Sequence, residues 1–246
     1  MTLVALTLVL FVVMVLVIVA GCAVWRSTCN DCADCPETTH FGLSSSVSTV
    51  FDKIYASNGW NSDESVSGPG STLEKTKNIR KALPDIINRY NIRTVFDCPC
   101  GDVNWICHIF HQIPGYTGGD IVRSLIERNR QLHRDTDFIV FDLIHDRLGD
   151  YDLLFTRDCL FHLSFSDIIR VCKQIKKSNV KYILTTNFLN RRNYNIETGD
   201  WRPLCLQEPP FNFPRPLMVV NEDEVGEYSD KHMGLWKREQ IPDVYI

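Results

Sequence analysis

The chain has no excess of positive charge: 26 Lys and Arg stand against 30 Asp and Glu, a formal net charge of −4. A protein that holds duplex DNA or RNA needs a basic footprint to neutralise phosphates, so nucleic acid is not an expected partner. Glycine is scarce where a dinucleotide site would need it. The segment Asp97-Cys98-Pro99-Cys100-Gly101-Asp102 holds one glycine, and the G-x-G-x-x-G fingerprint of a nicotinamide enzyme is missing. No internal repeat is visible, and 246 residues with 44% hydrophobic content suit one ordinary domain with a full core.

Charge is absent altogether from residues 1–25. The run Leu3 to Val24 is long enough at helical rise to cross roughly 30 Å of hydrocarbon. It lacks a positive n-region and exceeds the roughly 7–15 apolar residues of a signal-peptide core, so an uncleaved anchor is expected over 1–25. A cleaved signal peptide and the lipoprotein-like box Val19-Ala20-Gly21-Cys22 are the alternatives. Arg26, the nearest cation, places the body on the cytosolic side by the positive-inside rule, which predicts a single-pass protein with a lipid membrane as partner. Residues 26–50 then form a juxtamembrane linker and 51–246 the catalytic domain. Cys29, Cys32 and Cys35, with Cys22 and His40, have the spacing of a metal knuckle. No matching second pair follows, so no metal is assigned. Of ten cysteines, six are scattered through the body, as reduced thiols in a cytosolic domain would be.

Within the body, Ser71 and Glu74 read as a capping box opening a helix whose apolar positions Leu73, Ile79, Leu83, Ile86 and Tyr90 repeat at helical spacing, with a kink or break at Pro84. Strand patterns over 94–97, 116–120, 138–141, 151–155 and 181–186 alternate with helix patterns over 104–111, 123–132 and 165–177. Such alternation predicts βαβ crossovers and a doubly wound, mostly parallel sheet. After a proline-rich stretch from Asn187 to Pro216, the runs Leu217–Asn221 and His232–Lys237 read as an antiparallel hairpin.

In such a sheet the ligand lies beyond the carboxyl ends of the strands. Three strand ends here are acidic: Asp97, Asp120 and Asp142. One such residue is often only a helix cap; three at successive strand ends point to a nucleoside. Gly101, without a Cβ, lets the first loop approach a ligand closely.

In this order of motifs, over roughly residues 50 to 241, the chain resembles a class I S-adenosylmethionine (SAM)-dependent methyltransferase. The resemblance implies an α/β fold with a seven-stranded, Rossmann-like sheet and an antiparallel C-terminal hairpin. It departs from the usual glycine-rich loop at Pro99 and Val103. By resemblance, Asp97, Pro99, Cys100, Gly101 and Asp102 would meet the cofactor from the first loop. Asp120 with Ile121, Asp142 with Leu143, and Arg157 with Asp158 would meet it from later strands. The implied activity is in-line methyl transfer to an acceptor, a small molecule or a glycan, that the residues do not identify.

A hydroxyl acceptor would want a base, for which Asp158 and His162 are nearest; the competing reading, which the residues favour for His162, is a helix-start histidine bonded to backbone. Trp60, Trp105, Asp200, Trp201 and Arg202 are expected at the substrate, the last three on a lid in which Trp201 stacks and Arg202 pairs a polar group. The competing reading puts Trp201 in the core and Arg202 on a carboxylate. Cys98, Cys100 and Cys159 flank the pocket as packing residues. Two rival functions remain: a nicotinamide-dependent oxidoreductase, and a non-catalytic nucleoside-binding adaptor at a membrane.

Overall fold

The computed structural model describes residues 45–222 and 226–244. The expected anchor over 1–25 and the cysteine cluster before His40 lie outside the described residues. Among the described residues no helix is long and apolar enough to cross a membrane.

The chain opens with α1 (Ser45–Ala56), passes through a loop to α2 (Lys77–Arg89), and enters the sheet at β1 (Val95–Asp97). Then follow β2 (Tyr116–Asp120), α3 (Arg123–Leu132), β3 (Asp137–Val140), β4 (Leu153–Thr156), α4 (Phe165–Lys177), β5 (Tyr182–Asn187), β6 (Met218–Asn221) and β7 (His232–Lys237). The seven strands lie in the order β3-β2-β1-β4-β5-β7-β6. The β1–β2, β1–β4, β2–β3 and β4–β5 pairings are parallel, and β7 runs antiparallel to both β5 and β6.

The central strands β1, β4 and β5 are buried on both faces, whereas the edge strands β3 and β6 keep exposed positions. Side chains still alternate between two cores. Phe96, Leu154, Ile183 and Trp236 join α4 through Ile168, Val171 and Cys172. Val95, Leu153, Phe155 and Leu235 join α2 through Ile79, Leu83 and Ile86 on the other face. The strand order reverses between β1 and β4. That is the switch point of a doubly wound sheet, where a crevice opens beyond the strand ends.

Three local expectations need correction. Helix α1 begins at Ser45, inside the stretch read as linker. The capping box does not form: Leu73 N–H donates to Glu64 (2.6 Å) and Lys75 N–H to the Thr72 hydroxyl (3.3 Å). Those acceptors satisfy the turn, so α2 starts only at Lys77 and then runs through Pro84 without a break. The helix expected over 104–111 is a 3-10 segment, Ile106–Gln112, which stops just before Pro114.

Candidate active site

A cavity of about 530 Å³ lies at the switch point. Its first wall is the turn after β1. Gly101 sits in the left-handed region (φ 58°), and a Cβ there would stand 2.2 Å from the Ser67 hydroxyl. Val103 takes the same region (φ 51°) although β-branched, and it is almost wholly buried. Burial of its side chain offsets a backbone strain that glycine would avoid.

Asp97 ends β1 and accepts a hydrogen bond from the Tyr116 hydroxyl at 2.7 Å. Burial pushes its carboxyl up to about 8, the Tyr116 hydroxyl only partly opposing this, and the neighbouring Asp120 adds to the rise. Asp120 accepts Gly101 N–H (3.1 Å) on one oxygen and Val122 N–H (3.0 Å) on the other. It therefore braces the turn that leads into α3 and ties it to the first loop. Burial raises its carboxyl to about 6 against the pull of those amides. Asp142 accepts Ile144 N–H and the His145 ring nitrogen, both at 2.8 Å, and Leu143 and Ile144 form an apolar wall beside it.

The opposite wall follows β4. Asp158 adopts φ 52°, a left-handed conformation disfavoured for a side chain, and is held there by its partners. Thr186 donates to its carboxylate at 3.0 Å, Lys231 Nζ lies at 3.0 Å and Arg157 at 3.2 Å. Arg157 in turn donates Nε to Glu222 at 2.6 Å and stands over the Trp105 ring at 5.8 Å. Burial alone would raise the Asp158 carboxyl, but Arg157 and Lys231 outweigh it and hold it well below the usual range.

His162, at the end of the turn after β4, places Nδ1 2.8 Å from the Asp200 carbonyl and its ring 4.3 Å from the Trp60 ring. Burial lowers its pKa to about 4. Phe161, Phe188, Trp201 and Tyr228 pack edge to face around the far end of the cavity. The Cys98 and Cys100 thiols are raised well above their ordinary value by burial and Cys159 to about 12, so all three stay protonated packing groups.

Among the residues read from the sequence, Asp97, Pro99, Cys100, Gly101, Asp120 and Ile121 line this one cavity. So do Asp142, Leu143, Arg157, Asp158 and His162, together with Trp60, Trp105 and Trp201. Asp102, Asp200 and Arg202 do not. The Asp102 carboxylate accepts from the Ser65 and Ser67 hydroxyls (2.9 and 3.1 Å) and from Val66 N–H (3.0 Å). It clamps the segment before α2 across the first loop, and that segment lines the cavity from Val66 to Ser71. Asp200 contributes only its carbonyl.

Arg202 is fully buried, with its guanidinium on the carbonyls of Phe161 and Leu163 (2.8 Å each). It staples the turn that carries His162, does not line the cavity, and has no carboxylate partner among the described residues. Nor is the 187–216 stretch a free lid: Leu206 and Phe211 are buried, and Asn187 and Asn193 accept the N–H groups of Leu206 and Cys205. Trp201 alone among the three, 38% exposed, reaches the cavity.

The sequence reading missed Lys231 and Glu222, which complete the ion cluster, and the aromatic residues Phe51, Tyr55 and Tyr228 at the cavity. Lys231 directly precedes β7, and since β7 pairs with β5 beside β4, a strand-adjacency argument would have brought it to Asp158.

The fold is shared with solved structures. Magnesium protoporphyrin IX methyltransferase (ChlM) from Synechocystis PCC 6803 with bound S-adenosylhomocysteine (SAH) superposes with a TM-score of 0.53 at 12% identity, over 78% of this chain and 99% of that one. The same enzyme with bound SAM gives 0.51 at 15% identity, over 78% and 96%. The chain has the class I methyltransferase fold. The methyltransferase domain of bacterial CtHen1-C shares this fold too, with a TM-score of 0.50 at 13% identity, over 66% of this chain and 98% of that one. No protein-family model and no curated protein matches the chain in sequence. On the class I methyltransferase fold, the turn carrying Asp97 and Gly101 and the strand end carrying Asp120 face the switch point.

Proposed function

We propose that the protein is a SAM-dependent methyltransferase. One observation carries the reading: three acidic strand ends, Asp97, Asp120 and Asp142, converge on one side of a single cavity at the switch point of the class I methyltransferase fold. The residues fit this cofactor. Burial raises the Asp97 carboxyl to about 8, so it keeps its proton at neutral pH, whereas Asp120, raised to about 6, ionises and is the acceptor on this wall. The single glycine of the loop argues against the nicotinamide rival. Asp120 accepts two amide N–H groups and, with about four lone-pair sites, keeps capacity for a ribose diol. Leu143 and Ile144 offer an apolar wall for a base, and Gly101 allows close approach.

When bound, SAM supplies an electrophilic methyl group. The chain's own contribution is then positional: holding the acceptor in line, and excluding water with Trp60, Phe161 and Trp201. Of the two base candidates, Asp158 is a poor one, because two cations and Thr186 occupy its carboxylate. His162 is neutral at physiological pH and available.

The acceptor is a small molecule or a glycan, and the uncharged run over 1–25 tethers the protein to a membrane with the catalytic domain on the cytosolic side. The test has two arms. Calorimetry with SAH should show binding, and labelled SAM incubated with fractionated cell extract should label an acceptor. No SAH binding overturns the proposal; binding without transfer to any fraction favours a non-catalytic adaptor. Protease added to sealed vesicles should spare the body if the topology is right.

A further inference from the structure

The far half of the cavity has a chemistry of its own, separate from the three acidic strand ends. Its polar pole is a four-membered ion cluster of two cations, Arg157 and Lys231, and two carboxylates, Asp158 and Glu222. The charges are matched. Lys231 Nζ is 3.0 Å from Asp158 and 3.4 Å from Glu222, while Arg157 bridges the same two carboxylates. A ligand carboxylate or phosphate arriving here would compete with carboxylates already seated on both cations. A ligand ammonium would compete with cations already seated on both anions. Breaking a buried pair to admit a new charge is strongly unfavourable.

His162 completes the pole. Its Nδ1 faces the Asp200 carbonyl, which can only accept, so that nitrogen carries the proton and Nε2 holds a lone pair. The ring backbone is fixed as well: the His162 carbonyl accepts Gly199 N–H at 2.8 Å. The lowered pKa of the ring agrees with a neutral imidazole in this tautomer. A neutral imidazole with Nδ1 committed offers one thing to a ligand, a hydrogen-bond acceptor.

Around this pole the walls are aromatic. Trp60 lies against His162, and Trp201 packs edge-on to Phe161, Phe188 and Tyr228. Such walls favour a flat or ring-shaped apolar body.

We infer that this half of the cavity binds an uncharged ring compound bearing a hydroxyl group, whose O–H donates to His162 Nε2 while the ring packs against Trp60 and Trp201. The inference deepens the methyltransferase reading, in that the hydroxyl compound would be the methyl acceptor. The binding site itself stands on the geometry alone. Phenols and sugars share this chemistry, and the test separates them.

Full-length protein is titrated, by ligand-observed NMR, with phenol against toluene and with a methyl pyranoside against a deoxy pyranoside. Benzylamine and benzoate serve as charged counterparts. The expected result is that one hydroxyl probe binds at least about tenfold tighter than both charged probes and than its partner lacking the hydroxyl, the scale of one hydrogen bond. His162→Ala should abolish the advantage of the hydroxyl without weakening the partner probe. His162→Gln, which restores an acceptor near the Nε2 position, should recover part of it. Melting curves establish that both variants fold.

Tighter binding of benzylamine or benzoate overturns the inference, as does a hydroxyl advantage that survives His162→Ala, or failure of both hydroxyl probes to bind. SAH calorimetry on the same samples keeps the two readings apart. Hydroxyl selectivity without SAH binding would sink the methyltransferase reading and leave this site standing. SAH binding without hydroxyl selectivity would do the reverse.

Discussion

Replacing Arg202 by Ala should destabilise the domain rather than unseat a substrate. The guanidinium is fully buried, donates at 2.8 Å to the carbonyls of Phe161 and Leu163, and lies 5.5 Å from the Phe165 ring centroid. Two charge-assisted bonds at about 1.5–3 kcal/mol each are lost, and the carbonyls they served stay buried. Returning the cation to water recovers part of that, because a buried cation without a carboxylate partner is costly to hold, and burial already lowers the Arg202 pKa to about 10. The net cost comes to about 3 kcal/mol. For a domain of this size each kcal/mol is worth about 2–4 °C, so the melting temperature should fall by about 6–12 °C. Differential scanning calorimetry of wild type and variant, without cofactor, measures it directly. A variant that melts within about 2 °C of wild type yet has lost acceptor binding would refute this reasoning and return Arg202 to the substrate.

Other outcomes follow from the same geometry. Asp120→Asn should weaken SAH binding by at least roughly tenfold, about 1.4 kcal/mol, and also cost about 1 kcal/mol of stability, since one of its two amide bonds is lost; calorimetry and melting curves read the two effects. Asp102→Ala releases Ser65, Val66 and Ser67 together, so limited proteolysis should cut the segment before α2 faster, with SAH affinity reduced; equal cleavage rates would refute the clamp. Asp97 titrates at about 8 in the fold against an ordinary 3.8, so the fold holds its proton more tightly than the unfolded chain. Its stabilising share is therefore complete below about pH 4 and lost as pH rises toward 8. Asp97→Asn has no such loss, and its melting temperature relative to wild type should rise between pH 5 and pH 8; parallel curves would show that Asp97 ionises normally.

Much of the fold was legible from the sequence. The stretch from Phe165 to Lys177 forms the helix its pattern foretold, and His232–Lys237 pairs antiparallel with Met218–Asn221 as the hairpin reading required. Both rest on local regularity: an amphipathic period of 3.6 for one, two β-rich runs joined by a turn for the other. The acidic strand ends were equally visible, because a strand that stops at an acidic residue is a property of neighbours along the chain.

Where polar side chains found their partners was not. Asp102 and Arg202 looked like ligand contacts because carboxylates and guanidinium groups bind ligands, but the same groups also satisfy buried backbone and serine hydroxyls. Which of these happens depends on residues 35 to 42 positions away, brought close only by the folded sheet. Likewise nothing local links Asp158 to Lys231, 73 positions later, or explains why Asp158 can hold a left-handed conformation. The sequence by itself determined the order of strands and helices and the acidic rhythm of the switch point, since short-range periodicity and burial dictate those. Only the tertiary structure decided which polar groups face the cavity and which bind the protein, because a buried charge takes whichever partner the packed chain sets beside it.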